Sequence, residues 1–328
     1  MSAIRPSPDG SSLGDQLLSR ELLFVTGKGG VGKTTIAAAL AVVAAESGKR
    51  VLVCEIEPVG ALGAAFEAGP TGFEPRQVAQ RIWVMSMDTE ASLREYLRVH
   101  VRFPVGAGRI GPLARAFDFV ATAAPGVREI LTVGKLCFEV RERHFDLVIV
   151  DASASGHVVS QLGAPQAIRE LVRVGQVRDQ TGWMLDILSD PGRTGVVAVS
   201  TPEEMPVAET IELAARLEHE TPVGLLAVIV NRVLPELFGT REEEVFEALS
   251  SEDELARINQ LLGAEVGPIF DAARLAVKMR RTRAEHLVEL RAHLGPGVPL
   301  LLVPFRFART EGVRATRQVA AALGEELG

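Results

Sequence analysis

The chain has 328 residues, of which 35 are Lys or Arg and 42 are Asp or Glu, so its net charge is −7. This acidic balance argues against a general affinity for nucleic acids. The two cysteines, Cys54 and Cys137, stand far apart and outside any C-x-x-C pattern. Their placement argues against a disulfide framework and against a cysteine-based zinc site.

Residues 1–19 are polar, rich in Ser and Pro, and lack the apolar core of a signal peptide. We expect them to form a disordered leader. No uninterrupted apolar run is long enough to cross a membrane. The composition therefore predicts a cytoplasmic protein with a single domain over residues 20–328.

A phosphate-binding motif follows the leader. Glu21–Thr26 is a short apolar run typical of a buried strand, and Ile36–Glu46 is an alanine-rich helix. The spacing Gly27-x-x-x-x-Gly32-Lys33-Thr34 between them matches the Walker A pattern. Its glycines let backbone N–H groups turn toward phosphate oxygens, and the helix N-terminus adds partial positive charge. The predicted phosphate-binding residues are Gly27, Lys28, Gly29, Gly30, Val31, Gly32, Lys33, Thr34 and Thr35.

Two lysines of this loop carry separate predictions. Lys33 is expected to pair with the β- and γ-phosphates, and the Thr34 hydroxyl to ligate Mg²⁺, so ATP and Mg²⁺ are the predicted cofactors. Lys28 is a second loop lysine in a chain that has only five. It either adds charge beside the phosphates or is a solvated loop residue.

Two later strands end in carboxylates. Arg50–Glu55 leads into Glu57, and His144–Asp151 is an apolar run that ends in an aspartate, the form of a Walker B motif. Asp151 is predicted to contact Mg²⁺ through water. Because strand residues two apart point the same way, Glu55 is a possible further ligand in the same Mg²⁺ shell.

The rest of the chain alternates strands with helices. Strands are predicted at Ile82–Asp88, Thr194–Ser200, Val223–Asn231 and Val298–Pro304, and helices within 89–143, 165–189, 201–219, 241–294 and 311–327. Continuous apolar strands between helices predict an α/β fold, with a mostly parallel central sheet and helices on both faces. The segments 89–143 and 165–192 flank the Walker B strand, and we expect them to form a small helical subdomain.

Several segments together resemble a known family of P-loop NTPases. Lys28-Gly-Gly-Val-Gly-Lys-Thr-Thr35 resembles the deviant Walker A of ATPases that include MinD, ParA, nitrogenase iron protein and the arsenite-pump ATPase ArsA. Segments that resemble the ArsA-like branch then follow in order: Glu57–Phe66 its switch I, Pro125–Glu129 its P-G-x-x-E, Asp151–His157 its switch II, Thr201–Thr210 its P-E-x-x-x-x-E-T, and Ile229–Pro235 its adenine-binding segment. The resemblance is greatest to the shorter bacterial members called anion-transporting ATPases.

This resemblance implies an ATP hydrolase that works as a dimer of identical or paralogous subunits. It implies that Lys33 acts in cis, that Lys28 reaches the partner's nucleotide in trans, and that Glu57 orients the attacking water. Glu57 replaces the family's aspartate and reaches one methylene further. The implied base-binding residues are Asn231, Arg232, Pro304 and Phe305. The nucleotide state is expected to switch a helical subdomain that handles a protein cargo.

The chain also departs from the family. It has no counterpart of the arsenite-site cysteines or of the C-x-x-C that holds zinc in the tail-anchored-protein targeting ATPase, so neither site is expected. Two alternatives stay open because of Glu57 and the family's breadth. One is a dimeric ATP-binding scaffold that hydrolyses little or no ATP. The other is a positioning ATPase on a membrane or nucleoid surface, although residues 319–328 lack a basic amphipathic character.

Overall fold

A computed structural model of the protein describes residues 12–57, 59–100, 126–171, 176–306 and 312–328. Eight strands form one sheet in the order β3-β4-β2-β5-β1-β6-β7-β8. The strands are β1 (Leu22–Gly27), β2 (Val51–Glu55), β3 (Arg76–Ala79), β4 (Ile82–Ser86), β5 (Leu147–Asp151), β6 (Thr194–Ser200), β7 (Leu225–Val233) and β8 (Leu300–Pro304). All neighbouring pairs are parallel except β3 with β4. The predicted α/β fold with a mostly parallel sheet is confirmed.

Helices cover both faces of this sheet. They are α1 (Leu13–Leu18), α2 (Lys33–Glu46), α3 (Ala61–Ala65), α4 (Thr89–His100), α5 (Val127–Arg141), α6 (Ser155–Leu171), α7 (Gln176–Leu188), α8 (Glu204–Glu220), α9 (Thr240–Leu249), α10 (Glu252–Leu262), α11 (Gly267–His293) and α12 (Gly312–Leu327). Within the described ranges, no helix combines the length and the apolar character needed to span a bilayer.

The sheet separates two apolar cores because successive strand side chains point to opposite faces. In β1, Leu23 and Val25 face the core under α2 and α12, while Leu22 and Phe24 face the core under α5 to α8. All four side chains are fully buried. Because β1 packs into both cores, the start of the loop that follows it has a fixed position.

The structure corrects the prediction for the end of the leader. Residues 13–18 form α1, which is capped by Ser12, whose Oγ accepts from the Asp15 N–H at 3.0 Å. Leu17 and Leu18 are buried in the core beside α2 and α12. The prediction of a disordered leader is therefore wrong for residues 12–19, because Leu17 and Leu18 pack into the core although the segment around them is polar. Residues 1–11 lie outside the described part of the chain.

The helices of the predicted helical subdomain pack on one face of the sheet. Val133 and Leu136 of α5 and Ile187 of α7 belong to the same core as the strands β1 and β5. Helix α6 begins at Ser155, close after β5, and not at residue 165. The described helices of segments 89–143 and 165–192 thus pack against one another within the layer on one face of the sheet. A helical subdomain formed by these segments stays a prediction. The helix predicted within 111–122 lies outside the described residues.

The two edges of the sheet are short or covered. The β3 edge has four residues and pairs antiparallel with β4. At the other edge, the Leu302 N–H of β8 donates to the Glu326 carboxylate of α12 at 3.1 Å. A side chain of the covering helix therefore satisfies a backbone donor of an edge strand.

Candidate nucleotide-binding site

The loop between β1 and α2 requires glycine at two positions. Gly27 has φ 150°, and a Cβ there would overlap the carbonyl oxygen of Val199 on the neighbouring strand β6. Gly32 has φ 98°, and a Cβ there would lie 2.5 Å from Nδ2 of Asn231. Both glycines therefore allow a close approach that a side chain would block, and they hold the loop against β6 and β7.

The ammonium group of Lys33 lies across this loop. Its Nζ donates to the Lys28 carbonyl oxygen at 3.2 Å. Burial lowers the pKa of Lys33, while the negative charges of Asp151 and Glu57 act in the opposite direction. A cation that is half-buried beside a glycine-rich loop suits a polyanionic ligand. The predicted contact of Lys33 with phosphates stays a prediction.

The Walker A helix and the Walker B strand meet at one hydrogen bond. Thr34 Oγ1 donates to Asp151 Oδ2 at 2.6 Å. The second carboxylate oxygen, Oδ1, is buried and has no hydrogen-bond partner among the described residues. Burial raises the pKa of Asp151 to about 6, against the effects of the Thr34 hydrogen bond and the Lys33 charge. A hydroxyl oxygen next to an unpaired carboxylate oxygen fits Mg²⁺, which prefers oxygen ligands.

Glu55 and Glu57 have different surroundings. Glu55 is buried; its Oε1 accepts from the Ala61 N–H at 2.9 Å, and its Oε2 accepts from the Gly60 N–H and Ser86 Oγ at 3.2 Å each. Glu57 is exposed and acts on Lys33 by its charge. The structure thus shows Glu55 holding the loop after β2. Direct binding of a metal by Glu55, which stays a prediction, would compete with these three hydrogen bonds.

Lys28 has a partner within its own chain. Its Nζ forms an ion pair with the Glu209 carboxylate on α8, and each side chain is about one-third exposed. Glu209 has no predicted role, although the residue belongs to the segment Thr201–Thr210 that carries part of the family resemblance. The motif therefore contains Glu209, but only the fold shows that this residue is the partner of Lys28.

The predicted base-binding residues lie near one another at the ends of β7 and β8. Asn231 Nδ2 donates to the Val31 carbonyl oxygen of the phosphate loop at 2.9 Å, and its Oδ1 accepts from the Arg232 N–H at 2.9 Å. Pro304 pairs with Val233, whose carbonyl oxygen accepts from the Phe305 N–H at 2.7 Å. Asn231 thus ties the end of β7 to the phosphate loop. Binding of adenine by these residues stays a prediction.

A buried hydroxyl beside the Walker B aspartate was missed in the sequence. Ser153 lies two residues after Asp151, and its Oγ is buried without a hydrogen-bond partner among the described residues. Its carbonyl oxygen accepts from Thr26 Oγ1 at 3.0 Å. Ser153 stands in a row of small residues that gave no sign of burial. The described site therefore contains two unpaired buried oxygens, one on Asp151 and one on Ser153.

In the part of the chain that the structure describes, no group of three or more His, Cys, Asp or Glu residues is arranged to hold a metal ion. Cys54 and Cys137 are both buried and free, and burial raises the pKa of each thiol. The expectation that the chain has no zinc or arsenite site stays a prediction.

Comparison with known proteins agrees with this geometry. A family model described as anion-transporting ATPase matches residues 20–186 and 171–261. ATPase BagA of Mycobacterium tuberculosis is 33% identical over 243 residues, which is 70% of each chain. A putative arsenical pump-driving ATPase of Halobacterium salinarum is 29% identical over 251 residues, which is 70% of this chain and 39% of the relative. The ATPase called get3 of Sclerotinia sclerotiorum is 27% identical over 276 residues, which is 82% of this chain and 80% of the relative.

The family match covers the phosphate loop, the loop after β2, Asp151 and Asn231. These are the elements that the structure assembles at the carboxyl end of the sheet. The resemblance to the ArsA-like branch is therefore confirmed by the comparisons and agrees with the fold. The chain belongs to the anion-transporting ATPase family and is an ATP hydrolase.

Proposed function

We propose that this ATP hydrolase is an Mg²⁺-dependent, nucleotide-gated dimer whose nucleotide state acts on a partner protein through helices on one face of the sheet. The hydrogen bond of 2.6 Å between Thr34 Oγ1 and Asp151 Oδ2 is the observation that carries the proposal. It links the first turn of α2 to the end of β5. A change at the phosphates can therefore reach the segment after Asp151 directly.

The loop residues supply binding and charge neutralisation. The backbone N–H groups of 27–35 and the ammonium group of Lys33 surround the phosphates of ATP. Thr34, and Asp151 through water, would hold Mg²⁺, which would supply positive charge near the phosphates. Glu57 is exposed at the end of β2 and orients the attacking water. Phosphoryl transfer depends mainly on positioning and on charge neutralisation, which this set of residues provides.

The same residues connect the nucleotide to the helices. Asp151 is four residues before Ser155, where α6 begins, and α6 packs against α5, α7 and α8. On the neighbouring strand, Glu55 binds the backbone of Gly60 and Ala61 at the start of α3. Movement of the two loops after β2 and β5 therefore displaces helices on opposite faces of the sheet. We expect α6 and the helices around it to respond to the nucleotide and to transmit its state to a cargo or partner protein.

The dimeric state rests on Lys28. This residue is partly exposed at the tip of the phosphate loop and is held by Glu209 of its own chain. The family resemblance implies that it reaches the nucleotide of a second subunit, either identical or paralogous. In that case the ion pair with Glu209 must open when the dimer forms. Cytoplasmic localisation stays a prediction.

Sedimentation velocity with and without Mg²⁺-ATP tests the proposal. Wild type should dimerise with ATP, and Lys28→Ala should keep its ATP affinity while losing nucleotide-dependent dimerisation. Lys33→Ala should lower ATP affinity by about 100-fold, because it removes the main charged contact to the phosphates. Lys49→Ala, a change to a partly exposed lysine outside the loop, is the control. Dimerisation of Lys28→Ala at wild-type ATP concentrations would contradict the proposal.

A further inference from the structure

Two buried side-chain oxygens near the phosphate loop lack a hydrogen-bond partner. Among the residues that the structure describes, four buried side-chain nitrogen or oxygen atoms are unpaired, and two of them are Asp151 Oδ1 and Ser153 Oγ. The other two belong to Arg20 and Gln161, which lie elsewhere in the chain. Buried polar atoms in folded proteins normally have a partner, so two unpaired oxygens within one short segment indicate that a ligand binds there.

The main chain around Ser153 is held by the protein itself. The Ala152 N–H donates to the Val25 carbonyl oxygen at 3.0 Å, and the Ser153 carbonyl oxygen accepts from Thr26 Oγ1 at 3.0 Å. Both contacts are with the end of β1. The backbone of Ser153 is therefore fixed at the point where β1 continues into the phosphate loop, and only the hydroxyl of this residue is left without a partner within the described ranges.

This position belongs to the nucleotide site. Thr26, which binds the Ser153 carbonyl oxygen, directly precedes Gly27, the first residue of the phosphate loop. Two residues before Ser153, the Asp151 carboxylate accepts from Thr34 Oγ1 of the same loop at 2.6 Å. Ser153 is only 6% exposed, so bulk solvent does not satisfy its hydroxyl.

The two unpaired oxygens differ in what they can bind. An ionised carboxylate oxygen, as on Asp151, only accepts hydrogen bonds or faces a cation and its water, whereas the hydroxyl of Ser153 also donates. A donor near the half-buried ammonium group of Lys33 suits an anionic oxygen. Together the pair fits a phosphate that carries Mg²⁺, with the carboxylate toward the cation and the hydroxyl toward a phosphate oxygen.

The terminal phosphate is the part of ATP that residues outside the loop can reach. The loop backbone surrounds the α- and β-phosphates, whereas the γ-phosphate meets the loop lysine, the metal and segments from elsewhere in the chain. The segment after Asp151 is of this kind. We propose that the Ser153 hydroxyl donates a hydrogen bond to an oxygen of the γ-phosphate and so distinguishes ATP from ADP. This inference rests on the proposed binding of Mg²⁺-ATP by the phosphate loop.

The contact joins the terminal phosphate to a helix. Helix α6 begins at Ser155, two residues after Ser153. With ATP bound, the hydroxyl has its partner and the start of α6 is tied to the nucleotide. With ADP bound, the hydroxyl is again unpaired. Ser153 is thus the residue through which the presence of the γ-phosphate acts on α6.

Nucleotide binding by Ser153→Ala tests the contact directly. Isothermal titration in the presence of Mg²⁺ compares ADP with AMP-PNP, an ATP analogue that is not hydrolysed. AMP-PNP affinity should fall by about tenfold, the effect of losing one hydrogen bond to a charged group, and ADP affinity by less than about twofold. Ser153→Cys should show the same loss, because a thiol of similar size is a weak donor. Ser160→Ala, which removes an exposed hydroxyl from α6, should bind both nucleotides as wild type does.

The stability of the nucleotide-free chain separates this role from a structural one. Ser153→Ala should not lower the midpoint of thermal unfolding, because the hydroxyl makes no hydrogen bond with the described residues. Thr26→Val is the matched comparison, since it keeps the shape of the side chain but removes the hydrogen bond to the Ser153 carbonyl oxygen. This variant should lower the midpoint.

Three results would overturn the proposal. Unchanged AMP-PNP affinity of Ser153→Ala would leave the hydroxyl to a buried water. Equal losses for AMP-PNP and ADP would place the effect in the loop as a whole. A midpoint of Ser153→Ala as low as that of Thr26→Val would show that the hydroxyl holds the fold.

The proposed function has a separate outcome in these measurements. A wild type that binds AMP-PNP with Mg²⁺ but stays monomeric contradicts the nucleotide-gated dimer and leaves the role of Ser153 intact. A wild type that dimerises with ATP, together with full AMP-PNP affinity of Ser153→Ala, removes the role of Ser153 alone. Failure of wild type to bind AMP-PNP would remove both.

Discussion

Helices α2 and α11 show how the same kind of side chain serves two purposes. Seven of the fourteen residues of α2 are buried, and they are all apolar, because the helix lies between the sheet and α12. In α11 one residue of twenty-seven is buried, although the helix also carries leucine, isoleucine and methionine. Apolar residues fix α2, and with it the phosphate loop, inside the chain. In α11 they remain on the outside, where they are available to another molecule.

The largest expected effect is a loss of stability on truncating a side chain of α2, compared with the same change in α11. Leu40→Ala in α2 should lower the free energy of unfolding by about 2–5 kcal/mol, because Leu40 is fully buried and leaves a cavity. Leu275→Ala in α11 should change it by less than about 0.5 kcal/mol. Both values come from denaturant unfolding at a protein concentration too low for self-association. Equal losses for the two variants would mean that α11 is packed within the chain after all.

A second prediction separates the two glutamates near the phosphate loop. Glu57→Gln should lower the rate of phosphate release at saturating ATP by about 100-fold, the usual loss for a group that positions or activates water. ATP affinity should remain, because Lys33 and the loop backbone provide it. Val288→Glu, on the exposed side of α11, should release phosphate like wild type.

Glu55→Gln is the informative comparison for that measurement. Its side-chain amide would bring an NH₂ group toward the N–H donors of Gly60 and Ala61, so we expect a loss of stability in addition to any loss of rate. Full activity of Glu57→Gln together with low activity of Glu55→Gln would show that the water is positioned from the buried residue.

The smallest expected effect concerns the ion pair of Lys28. Glu209→Gln removes a partly exposed pair, and such pairs contribute at most about 1 kcal/mol. Because Lys28 is then free to reach a second subunit, dimerisation should need up to about fivefold less ATP. Glu212→Gln, on the same helix, is the control. Weaker dimerisation of Glu209→Gln would instead place Glu209 in the dimer contact itself.

The sequence predicted the sheet and the phosphate loop well, because their signals are local. Apolar runs identify the parallel strands, and the spacing from Gly27 to Thr34 identifies the loop. The antiparallel strand β3 was missed because its four residues contain no apolar run. The five-residue helix α3 was missed because it is little more than a single turn.

Pairings between distant residues could not be predicted. Glu209 lies 181 residues from Lys28, and only the packing of α8 beside β1 brings them together. The hydrogen bond of Asn231 to Val31 likewise depends on the order of strands β1, β6 and β7. Glu55 was predicted as a possible Mg²⁺ ligand. Its three hydrogen bonds follow from its burial, and a position at the end of a strand does not predict that burial.

The hydrogen bond between the Leu302 N–H and the Glu326 carboxylate limits how two copies of this protein can associate. A strand at the edge of a sheet can recruit a strand from another molecule through its free backbone donors and acceptors. Here the Glu326 carboxylate already binds the Leu302 N–H, and the opposite edge is a four-residue strand. A sheet running continuously through two molecules is thereby disfavoured, as is templated β-aggregation of the folded protein. Variants of Glu326 should accordingly be watched for fibrils or insoluble protein even where the fold and the nucleotide site are intact.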